Sequence, residues 1–196
     1  MRNLTYMHKI LLIAFFIGIA CVSCKTSEKE IDQLDITKQY YKALDASNHI
    51  VMSNLLTDSL LTRETEYDYE QVFTLDQYKE WVKWDAVFEP TYEVLSILKE
   101  DEIVKATVSK NDTRIQFLHG GSIVTNQVLR FSEDKIKSIE TTKYVVFNDS
   151  LFVKNREEFL SWMEQNHPDL NNFIYDQTEA GGMKYLKAIE LFTNRK

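Results

Sequence analysis

A chain of 196 residues, 44% of them hydrophobic and 12% aromatic, is long enough to fold as one domain with a sizeable core. Its 30 acidic side chains outnumber the 23 basic ones, and no cluster of Lys or Arg interrupts the acidic surface, which argues against nucleic acid as a partner. Both cysteines, Cys21 and Cys24, lie near the start, so no disulfide is expected in the rest of the chain, and packing must stabilise it.

The N-terminal residues have the pattern of a secretory signal. Arg2, His8 and Lys9 precede an uninterrupted run of apolar or small residues over 10–20. This run is shorter than the roughly 20 residues that span a bilayer. A cysteine that follows such a run resembles the lipobox of bacterial lipoproteins, in which the signal is cut before a cysteine that becomes lipidated.

Two cysteines compete for the lipidated position. Cys24 is followed by a polar stretch that is typical of a mature start, so it is the predicted lipidation site, with Cys21 as the alternative. An ordinary signal peptide with an incidental cysteine, or an uncleaved anchor, is the other interpretation. We expect a signal peptide over 1–23 and a short tether over 24–30. The protein would then be held at a membrane of the bacterial cell envelope, on its periplasmic or surface face, by an N-terminal lipid.

Two helices and a strand are predicted next. Apolar residues at helical spacing indicate an amphipathic helix over 31–47, and a shorter helix follows over 50–56. The stretch 62–73 alternates, which is typical of a strand. Its tyrosines share one face, and the opposite face carries the acidic residues Glu64, Glu66, Asp68 and Glu70. This alternation predicts that Glu64 points to water.

A capping box opens the third predicted helix. Thr74 is its N-cap, Gln77 is its third residue, and the helix must end near Pro90. Alternation and turn residues then predict four strands, over 92–98, 103–109, 122–131 and 136–147. The stretch 114–119 between two of these strands is either a strand end or one helical turn.

Two helices are predicted to close the chain. The first is capped by Asn155 and ends before Pro168, and the second lies over 178–192. The fold class is therefore α+β: a cone-shaped, curved antiparallel sheet wrapped around N-terminal helices, with a helical C-terminal extension. We expect the domain to cover 31–150 and the extension, packed on it, to cover 151–196.

Three short segments resemble a known family. Residues 40–48 are similar to a first helix and its exit turn, 55–58 to the following helix end, and 129–136 to the penultimate hairpin of the nuclear transport factor 2-like superfamily. That superfamily includes ketosteroid isomerase and the SnoaL-type polyketide cyclases, and the resemblance covers about 31–147. It implies a sheet curled into a cone around an apolar pocket, and dimerisation through the outer face of the sheet. Because the fold supports enzymes, transport factors and binding modules alike, it does not define the function.

The resemblance also implies where a site like that of ketosteroid isomerase would lie. It places the catalytic tyrosine at Tyr40, the general base at Glu64 and the second hydrogen-bond donor at Gln127. Gln127 departs from the family pattern, because an amide donates a hydrogen bond but cannot be the neutral carboxylic acid that the family uses. These three are candidate catalytic residues.

Aromatic and polar side chains supply the candidates for a ligand pocket, which are Tyr40, Tyr67, Trp81, Trp84 and Gln127. Core packing is the competing interpretation of the aromatic residues at this spacing. The histidines after the signal are dispersed, so neither a metal site nor another cofactor is predicted. His119, beside two glycines at a bend, is expected at the rim of the pocket.

The leading hypothesis is a membrane-tethered binding module without catalysis, whose pocket holds a small apolar ligand or docks a partner. The first alternative is an enzyme of the isomerase, dehydratase or cyclase type that uses Tyr40 and a pocket carboxylate. The second is a module for protein–protein interaction alone, acting through a homodimer or another partner. The position of Glu64 discriminates between the first two, because an inward carboxylate near Tyr40 favours the enzyme.

Overall fold

The computed structural model describes residues 32–170 and 172–195. The predicted signal peptide, both cysteines and the tether lie outside the described residues. In the described part, no helix combines the length and the apolar character that crossing a membrane requires.

Helices and strands alternate in blocks along the described chain. The α-helices are α1 Gln33–Asp45, α2 His49–Asn54, α3 Leu75–Ala86, α4 Thr113–His119, α5 Asp149–Asn166 and α6 Glu179–Thr193. The strands are β1 Leu56–Glu64, β2 Tyr69–Thr74, β3 Thr91–Glu100, β4 Ile103–Asn111, β5 Ile123–Ser132 and β6 Lys135–Val146. Short 3-10 turns occupy Thr65–Tyr67, Pro168–Leu170 and Phe173–Tyr175.

The six strands form one open, curved sheet in the order β2-β1-β6-β5-β4-β3. Each neighbouring pair is antiparallel except β1 and β6, which run parallel with Glu64 opposite Thr141. The predicted α+β class and curved sheet are confirmed. The sheet is mixed, however, because the β1–β6 pair joins two strands that lie far apart in the chain.

The prediction of a single strand over 62–73 is wrong in one respect, because this stretch forms a hairpin of two strands. β1 ends at Glu64, a 3-10 turn follows, and Asp68 takes the left-handed conformation with φ at 49°. Asp tolerates this conformation better than most residues, so the chain reverses there and returns as β2. The alternation of tyrosines and acids therefore does not run through one strand, and Glu64 does not share a face with Glu66 and Glu70.

Local capping explains where the helices begin. The capping box of α3 is confirmed, since the Thr74 hydroxyl accepts from the Gln77 amide at 3.2 Å and the Gln77 side chain accepts from the Thr74 amide at 2.8 Å. The predicted cap at Asn155 is wrong, because Asn148 caps α5 by accepting from the amide of Leu151. Asn155 lies inside that helix, and its Nδ2 donates to the carbonyl of Leu118 at 2.8 Å.

Two apolar clusters hold these elements together. The first lies between the sheet and helices α1 and α3, and it includes Tyr40, Leu44, Leu60, Val104 and Leu129. The second joins the end of α3 to α5 and α6, and it includes Trp84, Phe88, Phe159, Tyr185 and Phe192. Ring contacts such as Phe88 with Tyr185, 5.5 Å between centroids, connect the helices of the second cluster. The C-terminal helices thus extend the core beyond the sheet.

Candidate functional site

A cleft of about 560 Å³ lies over one end of the sheet. Four adjacent strands form its floor, with Glu64 on β1, Tyr144 on β6, Ile123 and Thr125 on β5, and Lys110 on β4. Lys110 follows the buried Val104, Ala106 and Val108 at a period of two along β4. The floor of the cleft is therefore the continuation of the core-facing side of the sheet.

Helix α5 forms one wall of the cleft. It contributes Asp149, Phe152, Val153 and Arg156, which recur at intervals of three and four residues and so share one face of the helix. Arg156 follows Asp149 by seven positions along the helix, a rise of about 10 Å. The wall consequently has a carboxylate at one end, apolar side chains in the middle and a guanidinium at the other end.

Two tyrosines and two carboxylates form what we call the acidic end: Glu64, Tyr67, Tyr144 and Asp149. The Tyr144 hydroxyl donates to Glu64 Oε2 at 2.8 Å, and the Tyr67 hydroxyl donates to Asp149 Oδ1 at 3.2 Å. The two rings meet edge to face with centroids 5.4 Å apart. Within the described part of the chain, neither carboxylate forms a salt bridge, and each keeps one oxygen without a hydrogen-bond donor.

Both tyrosines at the acidic end remain hydrogen-bond donors at neutral pH. Burial raises the pKa of the Tyr144 phenol, and the adjacent Glu64 carboxylate raises it further. Partial burial, followed by the charge of Asp149, raises the pKa of Tyr67 as well. Each phenol therefore holds its carboxylate in one orientation, with the second carboxylate oxygen available to a ligand.

The opposite, basic end consists of Lys110, Arg114 and Arg156. The Lys110 ammonium donates to Asp85 and lies 3.5 Å from Asp112 Oδ2, which is also 3.5 Å from the Arg114 guanidinium. Asp85 and Asp112 are buried beneath the cleft, so they neutralise these two cations. Arg156, in contrast, has no salt bridge among the described residues, and it supplies the net positive charge of this end.

Glu64 and Tyr67 are the sequence-predicted site residues that line the cleft. The expectation that Glu64 points to water is wrong, because the hairpin after Glu64 places it on the core-facing side, where Tyr144 binds it. Tyr40 lies elsewhere, buried in the first core cluster with its hydroxyl 2.5 Å from that of Tyr78. The structure therefore does not bring Glu64 and Tyr40 together in the cleft.

Gln127 is part of a polar contact inside the fold and does not line the cleft. Its Oε1 accepts from the Tyr41 hydroxyl at 2.6 Å, and its Nε2 donates to the Thr125 hydroxyl at 3.1 Å. Both ends of the amide are thus satisfied, as a half-buried polar side chain requires.

The remaining aromatic candidates pack within the fold. Trp81 stacks on Tyr78 with centroids 5.2 Å apart, and Trp84 meets Phe88 edge to face at 5.1 Å. Neither tryptophan lines the cleft. Trp84 belongs to the second core cluster, and Trp81, one turn earlier on α3, packs against both clusters.

His119 has a structural position beside the cleft. Its Nδ1 is 2.7 Å from the Gly121 carbonyl, and its Nε2 accepts from the amide of Asn148 at 2.8 Å. Because Nε2 accepts in the second contact, Nδ1 is the nitrogen that donates to the Gly121 carbonyl. The imidazole therefore ties the end of α4 to the residue that caps α5. Among residues 32–170 and 172–195, no group of three His, Cys, Asp or Glu side chains is arranged to hold a metal ion.

Most residues of the cleft were not predicted from the sequence, and four of them lie on helix α5. Asp149, Phe152, Val153 and Arg156 already stood at helical intervals in the sequence. Placing the helix start at Asn155 hid this pattern, since it left the first six residues of α5 outside the helix.

Comparisons with known proteins concern the fold. The sequence matches no family model and no curated protein. An NTF2-like protein of unknown function from Cytophaga hutchinsonii is 14% identical with a TM-score of 0.48, over 60% of this chain and 93% of that chain. A protein from Kribbella flavida is 10% identical with a TM-score of 0.50, over 65% of this chain and 96% of that chain.

A protein with a ketosteroid isomerase-like fold from Catenulispora acidiphila is 9% identical with a TM-score of 0.45, over 57% of this chain and 86% of that chain. Identities this low bear on the fold and not on the activity. The described part of the chain is thus similar in fold to the Kribbella flavida protein, and the other similar structures include proteins described as NTF2-like and as ketosteroid isomerase-like in fold.

Proposed function

We propose that this protein binds a small organic molecule in the cleft between the sheet and helix α5. The observation that supports this most directly is the cleft itself, whose volume of about 560 Å³ suits a small ligand. Apolar side chains line its middle, and a few charged and phenolic groups converge on it. Such a combination of apolar walls with a small number of oriented polar groups is typical of ligand sites.

Binding without catalysis by Tyr40 is favoured over the isomerase-type alternative. The Tyr40 hydroxyl is buried against Tyr78 and lies outside the cleft, so it has no access to a ligand bound beside Glu64. Oxyanion stabilisation requires a donor that reaches the reacting oxygen at hydrogen-bond distance. The proposed role is therefore that of a binding module.

A cleft-filling variant tests the proposal with a defined probe. We expect 8-anilinonaphthalene-1-sulfonate, an amphipathic fluorescent dye, to bind the wild-type protein with a micromolar dissociation constant. Val153→Trp places a large ring in the cleft and is expected to weaken this binding at least about tenfold, roughly 1.4 kcal/mol. Fluorescence titration of the purified full-length protein measures both.

Lys154→Trp is the matched control, because the neighbouring side chain is exposed and lies outside the cleft. It should leave the dissociation constant unchanged. Equal affinities for the dye in wild type and in Val153→Trp, or the same loss in both variants, would contradict the assignment of the cleft as the binding site.

We further propose that the protein is tethered to a membrane of the bacterial cell envelope through lipid on Cys24. The cationic start, the short apolar run and the polar residues after Cys24 support this. Incorporation of a radiolabelled fatty acid in bacterial cells is expected for the wild type and lost in Cys24→Ala, whereas Cys21→Ala should keep the label. Labelling that persists in Cys24→Ala and disappears in Cys21→Ala would move the anchor to Cys21.

A further inference from the structure

The cleft separates its charged side chains by sign. Glu64 on β1 and Lys110 on β4 are separated by strands β6 and β5, a span of about 14 Å across the sheet. Asp149 and Arg156 are separated in the same sense along α5, by about 10 Å of helix. Floor and wall thus repeat one arrangement, with carboxylates at one end and cations at the other.

The two ends differ in what they offer to a ligand. At the acidic end, two carboxylates without a cationic partner lie beside the rings of Tyr67 and Tyr144. Carboxylates together with aromatic faces are the groups that bind an ammonium ion, by charge and by cation–π attraction. At the basic end, the positive charges of Lys110 and Arg114 are offset by buried Asp85 and Asp112, which leaves Arg156 to bind an anionic group.

The middle of the cleft is apolar. Ile123, Phe147, Phe152 and Val153 line it, and Phe147 and Phe152 are in contact with ring centroids 5.4 Å apart. A molecule with a single charge would leave one end of such a cleft solvated by water alone. A molecule charged at both ends would satisfy both and cover the apolar middle with its own chain.

We propose that the natural ligand is bipolar: an elongated molecule with an ammonium group at one end and a carboxylate or similar anion at the other, about 10 Å apart. This inference rests on the proposed binding function and adds the chemical class of the ligand. The ammonium group lies between Glu64 and Asp149, and the anion contacts Arg156.

Three straight-chain probes of matched length test the charge pattern: 8-aminooctanoate, octanoate and octylamine. Isothermal titration calorimetry on the wild-type protein is expected to show 8-aminooctanoate binding at least about fivefold more tightly than either singly charged probe, a gain of roughly 1 kcal/mol. Binding of octanoate and octylamine as tight as that of the zwitterion would overturn the inference.

Charge-removing variants assign each end. Glu64→Gln is expected to weaken the binding of 8-aminooctanoate at least about threefold, because Asp149 alone then faces the ammonium group, while octanoate binding does not weaken. Arg156→Gln is expected to reduce the affinity for 8-aminooctanoate to that for octylamine. Glu157→Gln, on an exposed side of the same helix, is the control and should change none of the three. An equal loss for all three probes in Glu64→Gln would overturn the assignment of the acidic end.

The dye and the three straight-chain probes test the binding site and the ligand class separately. If 8-anilinonaphthalene-1-sulfonate binds and Val153→Trp blocks it, the cleft is a binding site. Equal affinities of the three straight-chain probes would then overturn only the bipolar ligand. If neither the dye nor any of these probes binds, both proposals are wrong.

Discussion

Asp85→Ala is expected to lower the free energy of unfolding by about 3–5 kcal/mol. The Asp85 carboxylate is 2% exposed, accepts from the Tyr92 hydroxyl at 2.7 Å and pairs with the Lys110 ammonium. Its removal leaves a poorly solvated ammonium and a phenol without their acceptor, and both groups are costly to bury unpaired. Urea denaturation at neutral pH measures the loss.

Two comparisons show whether the lost pair causes this effect. Glu80→Ala removes an exposed carboxylate from the same helix, whose ion pair with Lys83 is at the surface, and should cost no more than about 0.5 kcal/mol. The double variant Asp85→Ala with Lys110→Met leaves no buried charge unpaired and should regain at least half of the loss. A loss below about 1 kcal/mol for Asp85→Ala, or strict additivity in the double variant, would contradict a coupled pair.

Alkaline pH is expected to unfold the protein. Burial is the main cause that raises the pKa of the phenols of Tyr40, Tyr41, Tyr78 and Tyr92 above the ordinary value of about 10, and neighbouring phenols or carboxylates add to it. Each folded-state pKa is therefore raised relative to the unfolded chain. Their contribution is fully present below about pH 10 and is lost as the pH rises above it, because the unfolded state alone then releases these protons.

One pH unit above the unfolded pKa, each buried phenol lowers the free energy of unfolding by roughly 1.4 kcal/mol, so the four together remove about 6 kcal/mol. Stabilities of small domains are of this order, about 5–15 kcal/mol. We expect the urea midpoint to be constant between about pH 7 and about pH 9 and to fall steeply by about pH 11. Ultraviolet absorbance of tyrosinate should rise in two steps, the second coinciding with unfolding.

The variant Tyr175→Phe is the control for this experiment. Tyr175 is 76% exposed, so its phenol meets water in the folded and unfolded states alike, and the pH profile of stability should not change. A single tyrosinate step that includes every tyrosine while the protein stays folded would show that the core phenols are not protected.

The sequence was sufficient to predict a structural feature where that feature depends only on residues within one helical turn of each other. The capping box at Thr74 and Gln77 fixed the start of α3, because the two reciprocal hydrogen bonds involve only residues three apart. The choice between Asn148 and Asn155 as the cap of α5 was not decided locally. Asn155 instead bonds to the carbonyl of Leu118, a contact made only after α4 and α5 have packed together.

The site shows the same division between local and distant causes. Glu64 and Tyr67 were recognisable as candidates, but their position at the cleft depends on the turn that ends at Asp68. The partners of the acidic end, Tyr144 and Asp149, come from residues about 80 positions later in the chain. The periodic patterns that indicate strands and helices relate residues only a few positions apart. They therefore could not predict tyrosine–carboxylate pairs between residues about 80 positions apart.

The parallel pairing of β1 with β6 determines when this protein is able to fold. β1 is the first strand of the described chain, but the strand that joins it to the rest of the sheet is the last one, β6. Glu64, for example, is paired with Thr141. Until residues 135–146 have been synthesised, the hairpin of β1 and β2 has only its own two strands to pair with, and such a hairpin is marginal in water. The sheet is therefore complete only when most of the chain is present, and we expect the contact between β1 and β6 to form late in folding.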